Sequence, residues 1–195
     1  MVITNNLTDK IDQYLKDRLS EKRYRHSVST ARTASALCEK FNMDKEKGFI
    51  AGLVHDIARE IDNSKLIELS LKDGKGILSD AEINSPVLLH GRVGSQMIKD
   101  LFNIQDPEII EAVKVHTTGL PGMGHLARIV FIADYIEPER KHMIKGYLSN
   151  LQDESLDNML KIVLISLIEY LKNKSGYISE KTLKLLEELE NERKK

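Results

Sequence analysis

Six histidines occur in the 195-residue chain, and four of them, together with two aspartates, could hold a metal ion. His55 is followed directly by Asp56, and the other candidates lie far apart, each in or beside an apolar stretch. A charged or half-charged group is costly in such surroundings unless it has a partner. Imidazole nitrogen and carboxylate oxygen together suit Fe, Mn, Co, Ni or Zn, so convergence on one cation would supply that partner. The candidates are His26, His55, Asp56, His90, His116 and Asp134.

A simpler interpretation is that these histidines are hydrogen-bonded core residues, which is the commoner fate of a lone histidine on an apolar face. His125 and His142 have polar neighbours in the sequence and are predicted to lie at the surface. On one helix, the adjacent side chains of His55 and Asp56 would point about 100° apart. An ion between them would need ligands from other helices, for which His26 and Asp134 are the natural candidates. Spacing alone leaves both interpretations open.

Apolar residues recur at helical spacing along most of the chain. From Leu156 to Leu171 they fall at offsets 0, 3, 4, 7, 8, 11, 12 and 15, which is one face of an α-helix. A similar stripe runs from Val28 to Phe41 and includes the single cysteine, Cys38, as a small core residue. Ser85 and Asp106 each precede a proline and are predicted to be N-caps.

The apolar run from Ile129 to Ile136 could be a strand, but the long continuous stretch from Gly124 to Glu137 favours a buried helix. Gly119 is predicted to cap the helix that carries His116. We therefore expect an all-α fold of roughly eight or nine helices in a single domain over residues 1–195. Its motif core spans about 24–140, and additional C-terminal helices pack over about 146–190.

Charge and composition narrow the class of protein further. Lys and Arg total 29 against 30 Asp and Glu, a net charge of -1, which argues against nucleic-acid and membrane-surface partners. A lone cysteine and the absence of a long apolar run predict a cytoplasmic protein. The segment from Leu71 to Gly76 is predicted to be a mobile loop whose lysines, Lys72 and Lys75, could close over phosphates.

Five sequence blocks, in order along the chain, carry a family resemblance. They are RYRHSVSTARTASALCEKF, GLVHDIAREI, LLHGRVGSQM, HTTG and IADYIEPER. Together they resemble the HD-domain superfamily of metal-dependent phosphohydrolases, and the last three are most similar to its YqeK-type branch of symmetrical diadenosine tetraphosphate hydrolases. The resemblance covers about residues 24–140 and implies an HD-domain helical bundle.

The resemblance implies roles for individual residues. The superfamily's metal ligands correspond to His26, His55, Asp56 and Asp134, and the metal would be iron, or Co, Mn or Ni, as one or two ions. His90 and His116 would hold a second ion or act on phosphate, and Asp56 would orient the attacking water. The implied catalytic residues are Asp56, His90, His116 and Arg59. The implied substrate-binding residues are Arg25, Arg59, His90, His116, Thr117, Tyr135 and Arg140.

We therefore expect a metal-dependent hydrolase that cuts the central phosphoanhydride of diadenosine tetraphosphate into two ADP molecules. The alternatives are an HD-type phosphohydrolase that acts on mononucleotides or deoxynucleoside triphosphates, a nucleotide sensor without turnover, and a helical scaffold with structural histidines. Arg59 could instead pair with a surface Glu, Arg25 could cap or solvate a helix end, and Arg92 could be solvated. Arg140 could cap the helix that ends near Pro138. The C-terminal stripe could serve the core or the contact of a homodimer.

Overall fold

The computed structural model describes residues 5–72, 78–140, 153–174 and 176–192. Within these ranges the chain forms ten α-helices and one 3-10 helix and no strand, which confirms the all-α prediction with one or two more helices than expected. The 3-10 helix, Pro86–Leu89, leads directly into α6. The helices are α1 (Asn5–Arg18), α2 (Glu21–Lys40), α3 (Lys45–Val54), α4 (Asn63–Lys72), α5 (Asp80–Asn84), α6 (His90–Phe102), α7 (Pro107–Val115), α8 (His125–Ile136), α9 (Leu156–Asn173) and α10 (Glu180–Glu192).

Side-chain caps fix where several of these helices begin. Asp106 accepts hydrogen bonds from the N–H groups of Glu108 and Ile109 at the start of α7, as predicted. Ser85 is the N-cap residue of the 3-10 helix, with Pro86 in its first turn, as predicted, although its side chain makes no cap hydrogen bond. Its backbone N–H also ends α5 by donating to the carbonyl of Ala81.

The core forms where α2, α3 and α8 pack together. Gly52 makes the contact of α3 with α2 possible, since a Cβ there would lie 2.8 Å from the Cα of Ala31. Cys38 is completely buried, and burial raises the pKa of its thiol to about 12, as suits a core residue. The run from Ile129 to Ile136 is helical and buried at most positions, as predicted.

The C-terminal helices complete the same core. The predicted stripe of α9 is buried within the chain at Met159, Leu160, Val163, Leu164 and Ile168, so most of it serves the core. No helix in the described ranges has both the length and the apolar character needed to cross a bilayer. Lys72 ends α4, but the rest of the predicted loop, His142 and residues 146–152 lie outside the described residues.

Candidate metal centre

Five segments bring the six predicted residues to one point. His26 lies in the second turn of α2, and Asp134 lies in the third turn of α8. His90 is the first residue of α6, and His116 directly follows α7. All four histidines and Asp56 are buried, whereas 21% of the Asp134 side chain remains exposed. The site is therefore enclosed and opens to solvent beside Asp134.

His55 and Asp56 do not lie on a helix, contrary to the prediction. Helix α3 ends at Val54, and the chain continues in turns in which Ile57 N donates to Val54 O and Arg59 N donates to Asp56 O. These bonds span three residues instead of four, so the chain winds more tightly than an α-helix. The turn directs both side chains into the same cluster.

Asp56 stands between two pairs of histidines. On one side, its Oδ1 lies 3.0 Å from His90 Nε2 and 3.7 Å from His116 Nε2. On the other side, its Oδ2 lies 3.4 Å from His55 Nε2 and 3.6 Å from His26 Nε2. The Asp56 carboxylate therefore contacts both pairs, with one oxygen facing each pair.

Asp134 adds a second carboxylate to one of these pairs. Its Oδ1 lies 3.0 Å from His26 Nε2 and 3.6 Å from His55 Nε2. Two overlapping groups of three result, each with ligand atoms within 4.8 Å of one another. They are His26, His55 and Asp134, and His55, Asp56 and His116.

Hydrogen bonds at the Nδ1 atoms fix which ring nitrogens face the cluster. Nδ1 of His55, His90 and His116 each faces a backbone carbonyl three residues earlier, which can only accept a hydrogen bond. Nδ1 of His26 lies 2.8 Å from the Glu137 carboxylate. Each Nδ1 therefore carries hydrogen, so that each ring, when neutral, directs the lone pair of Nε2 inward.

These lone pairs face one another at short range. The Nε2 atoms of His90 and His116 are 2.9 Å apart, and those of His26 and His55 are 3.2 Å apart. Two lone pairs at such distances repel unless a proton or a cation lies between them. Since the donor set is imidazole nitrogen and carboxylate oxygen, a divalent transition-metal ion fits the cluster.

The carboxylates are held in the charged form that metal binding needs. Burial alone would raise the pKa of Asp56, but the charge of His55 and hydrogen bonds from the histidines hold it well below its usual range. Burial would likewise raise the pKa of Asp134, but the charge of Arg140 and a hydrogen bond from His26 hold it well below its usual range. Both are ready anionic ligands.

The pKa values of His55 and His116 are shifted in opposite directions. Burial alone would lower the pKa of His55, but the carboxylates of Asp56 and Asp134 outweigh it and raise that pKa to about 10. Burial, reinforced by the charges of neighbouring histidines, lowers the pKa of His116. Because a metal-bound imidazole must be neutral, cation binding at His55 displaces a proton.

Two residues of the site escaped the sequence analysis. Arg23 Nη1 donates to Asp56 Oδ2 at 2.7 Å, and Glu137, 1% exposed, accepts from His26 Nδ1. Burial alone would raise the pKa of Glu137, but hydrogen bonds from His26 and other donors lower it, so it is ionised. Helical spacing could have found both, since each lies three residues from a predicted ligand.

The predicted arginines occupy different places. Arg140 donates to Asp134 Oδ1 and belongs to the cluster. Arg25 lies at the surface and pairs with Glu139 at 3.1 Å. Burial alone would raise the pKa of Glu60, but hydrogen bonds from Ser20 and two nearby guanidinium charges lower it. One of these charges is that of Arg59, so the structure places Arg59 beside a carboxylate at the outer edge of the site.

Two cavities border the cluster. The first, which we call the basic cavity, measures about 600 Å³ and is lined by His26, Glu137 and four cationic residues, Lys22, Arg23, Arg25 and Arg140. The second, which we call the small cavity, measures about 120 Å³ and borders His116 and Asp134. The predicted residues Thr117, Tyr135 and Arg140 all line the small cavity. Arg92 lines neither of these two cavities and instead faces a third.

The buried cluster of histidines and aspartates is drawn from five separate segments of an all-helical domain. The HD domain family profile matches residues 23–139, a range that contains all six cluster residues. The chain belongs to the HD-domain family.

Two of the similar proteins are named for the same reaction. The chain is 30% identical over 182 residues to the symmetrical bis(5'-nucleosyl)-tetraphosphatase of Halalkalibacterium halodurans, covering 93% of this chain and 96% of that protein. It is 36% identical over 132 residues to the enzyme of the same name from Staphylococcus aureus, covering 68% and 67%. A crystal structure of a predicted HD superfamily hydrolase involved in NAD metabolism from Clostridium acetobutylicum superposes with a TM-score of 0.87 at 38% identity, covering 95% and 97%.

Proposed function

We propose that this protein is a metal-dependent hydrolase that cuts diadenosine tetraphosphate symmetrically into two ADP molecules. The observation that carries the proposal is the convergence of four imidazole Nε2 atoms on two ionised carboxylates, beside a cavity lined by four cationic residues and three glutamates. The Halalkalibacterium halodurans relative named for this reaction matches 93% of this chain.

The proposed metal ligands are His26, His55, Asp56 and Asp134. Iron is the proposed ion, with Co, Mn or Ni as replacements, and His90 with His116 offers Nε2 atoms for a second ion on the far side of Asp56. The chemistry that such a cation supplies when bound is to bring the pKa of water at the centre to near neutrality.

The reaction is an in-line displacement at one of the two central phosphorus atoms. A bond forms between the water oxygen and phosphorus while the bond from phosphorus to the bridging oxygen breaks, and that oxygen leaves with the second ADP. Asp56, buried between the histidine pairs, orients the attacking water. His90 and His116, where they do not hold an ion, contact the phosphate oxygens.

Cationic side chains stabilise the polyphosphate. Arg23 and Arg140 each bind a carboxylate of the cluster and also line the basic cavity, so they can bridge the centre and the phosphates. Arg25 lies farther out in the same cavity. Thr117 and Tyr135 contact the substrate from the small cavity, and Arg59 contributes long-range positive charge.

The experiment that tests this function combines metal analysis with product analysis. Purified protein and Asp56→Ala are assayed for metal by elemental analysis, and for hydrolysis of diadenosine tetraphosphate by chromatography. Asp17→Ala, which removes an exposed carboxylate far from the cluster, is the matched control. We expect bound iron or a related metal and ADP as the sole product, with metal and turnover both lost only in Asp56→Ala.

Other outcomes identify the alternatives. Phosphate release from mononucleotides without cleavage of diadenosine tetraphosphate would indicate the mononucleotide reaction. Bound metal with no turnover of any nucleotide would indicate a sensor. The absence of nucleic-acid and membrane partners, the cytoplasmic location and the homodimer stay predictions.

A further inference from the structure

A third cavity is lined by Thr117, the residue that follows His116. It measures about 400 Å³ and is enclosed by α5, α6, the end of α7 and the segment that leads into α10. We call it the α10 cavity and define it by Arg92, Lys114, Thr117, Tyr177, Ser179 and Lys181. Half of these residues lie beyond residue 139, where the HD domain match ends.

Volume separates the three cavities into two kinds. The basic cavity, at about 600 Å³, and the α10 cavity, at about 400 Å³, both have the size of small-molecule sites. The small cavity, at about 120 Å³, is smaller than the roughly 150 Å³ cavity that holds a benzene molecule. A nucleoside therefore fits the two larger cavities, and the small cavity has room only for a narrow part of a substrate.

Lining residues that neighbouring cavities have in common order the three cavities in a row. Arg140 lines both the basic and the small cavity, and Thr117 lines both the small and the α10 cavity. The small cavity, in the middle, is the one that borders Asp134 and His116. A two-ended substrate that lies along this row would place its middle beside the proposed metal ligands.

Two unpartnered polar atoms mark the middle of the row. Among the described residues, the Oγ1 of Thr117 and the Nε of Arg140 are buried and have no hydrogen-bond partner. A buried polar group without a partner carries a free-energy cost, which a ligand can remove. Phosphate oxygens accept hydrogen bonds from both a hydroxyl and a guanidinium.

The α10 cavity has the side chains that the end of a nucleotide requires. Tyr177 is 53% exposed, so its ring is accessible for stacking on a base. Arg92, Lys114 and Lys181 provide positive charge at the wall. Two glutamates, Glu82 and Glu180, also line the cavity and offset part of that charge, and Glu82 lies 3.9 Å from Lys181 Nζ.

We propose that the α10 cavity binds the second nucleoside of a dinucleoside polyphosphate, while the basic cavity binds the first and the phosphate chain passes through the small cavity. This inference rests on the proposed function and adds which residues make the enzyme select substrates with two nucleosides. Residues outside the HD domain match would then make the site specific for substrates with two nucleosides.

The test compares Tyr177→Ala with Leu183→Ala, which removes an exposed side chain of α10 that does not line the cavity. Two substrates are used, diadenosine tetraphosphate and adenosine 5'-tetraphosphate, which lacks the second nucleoside. Loss of one base-stacking contact is expected to lower kcat/KM by about tenfold. We expect Tyr177→Ala to lower the ratio of kcat/KM for the two substrates by that factor, and Leu183→Ala to leave the ratio unchanged.

A binding measurement separates this inference from the proposed function. Calorimetric titration of the metal-loaded protein with ADP is expected to give two sites per chain in the wild type and in Leu183→Ala, and to show one of the two sites weakened about tenfold in Tyr177→Ala. A single ADP site in the wild type, or an equal ratio in both variants, would overturn the inference. Failure to hydrolyse diadenosine tetraphosphate would instead count against the proposed function, and the ADP stoichiometry would still decide whether the second site exists.

Discussion

Replacement of Glu137 tests whether a buried carboxylate positions His26 for metal binding. Glu137 is 1% exposed and accepts hydrogen bonds from His26 Nδ1 at 2.8 Å and from Glu139 N at 2.6 Å. In Glu137→Ala the N–H of Glu139 lies near solvent and can bind water, but His26 Nδ1 is buried and stays unpaired. An unpaired buried donor costs about 1–3 kcal/mol.

The same change is expected to weaken metal binding. Loss of the residue that orients a ligating histidine lowers metal affinity by about 10- to 100-fold, which corresponds to about 1.4–2.8 kcal/mol. Glu137→Gln keeps an oxygen for His26 but presents its NH₂ group to the N–H of Glu139, so it should retain most of the affinity.

The assay is competition with a fluorescent chelator, with thermal unfolding recorded on the same samples. Glu139→Ala is the control for lost charge, because Glu139 lines the same cavity but forms only an exposed ion pair with Arg25, which contributes about 1 kcal/mol or less. The reasoning is refuted if Glu137→Ala and Glu139→Ala bind metal equally well.

Three further predictions concern packing, pH and substrate contact. Gly52→Ala places a Cβ against the backbone of α2 and should destabilise the fold by about 1–3 kcal/mol in denaturant titration. In Gly94→Ala the nearest atoms to the new Cβ belong to side chains, the closest being Cγ2 of Ile57 at 3.1 Å, so this change should cost less. Because the pKa of His55 is raised from 6.5 to about 10, its contribution to the stability of chelator-treated protein is complete below pH 6.5 and is lost as the pH rises towards 10. Added metal should raise Tm by a larger amount as the pH rises over the same interval, because fewer protons compete with the metal for His55. A metal-induced rise in Tm that does not depend on pH would contradict this. Thr117→Val removes a hydroxyl that has no partner among the described residues, so Tm should not fall while kcat/KM for diadenosine tetraphosphate does; an equal loss of both would indicate a structural role.

Local patterns in the sequence were sufficient to predict most helices and all six cluster residues. The stripe of α9 and the run that became α8 follow the 3.6-residue period closely. The turn after α3 could not be predicted, because the apolar pattern continues through His55 and Asp56 although the helical hydrogen bonds stop at Val54. The sequence predicts Ser85 as an N-cap correctly, but it does not show that the Ser85 side chain makes no cap hydrogen bond.

The parts of the site that escaped prediction are contacts between distant segments. Arg23 and Asp56 are 33 positions apart, and His26 and Glu137 are 111 positions apart. Helical spacing places Arg23 and Glu137 near ligands on their own segments, but only the packing of α2 against α3 and α8 shows which carboxylate or imidazole each one meets. The three cavities likewise arise from packing between helices and have no local sequence signal.

One feature of the backbone explains why Glu137 is needed at all. His55, His90 and His116 each follow the end of a helical element, and each Nδ1 donates to a carbonyl three residues earlier, in the last turn of that element. Carbonyls in a last turn are not used by the helix itself and remain available as acceptors. His26 lies inside α2, where the carbonyls of the preceding turn already accept helical hydrogen bonds. It therefore needs an acceptor from another segment, and the Glu137 carboxylate, just past the end of α8, is that acceptor. Substitution of Glu137 should thus release one imidazole of the cluster and leave the orientation of the other three unchanged.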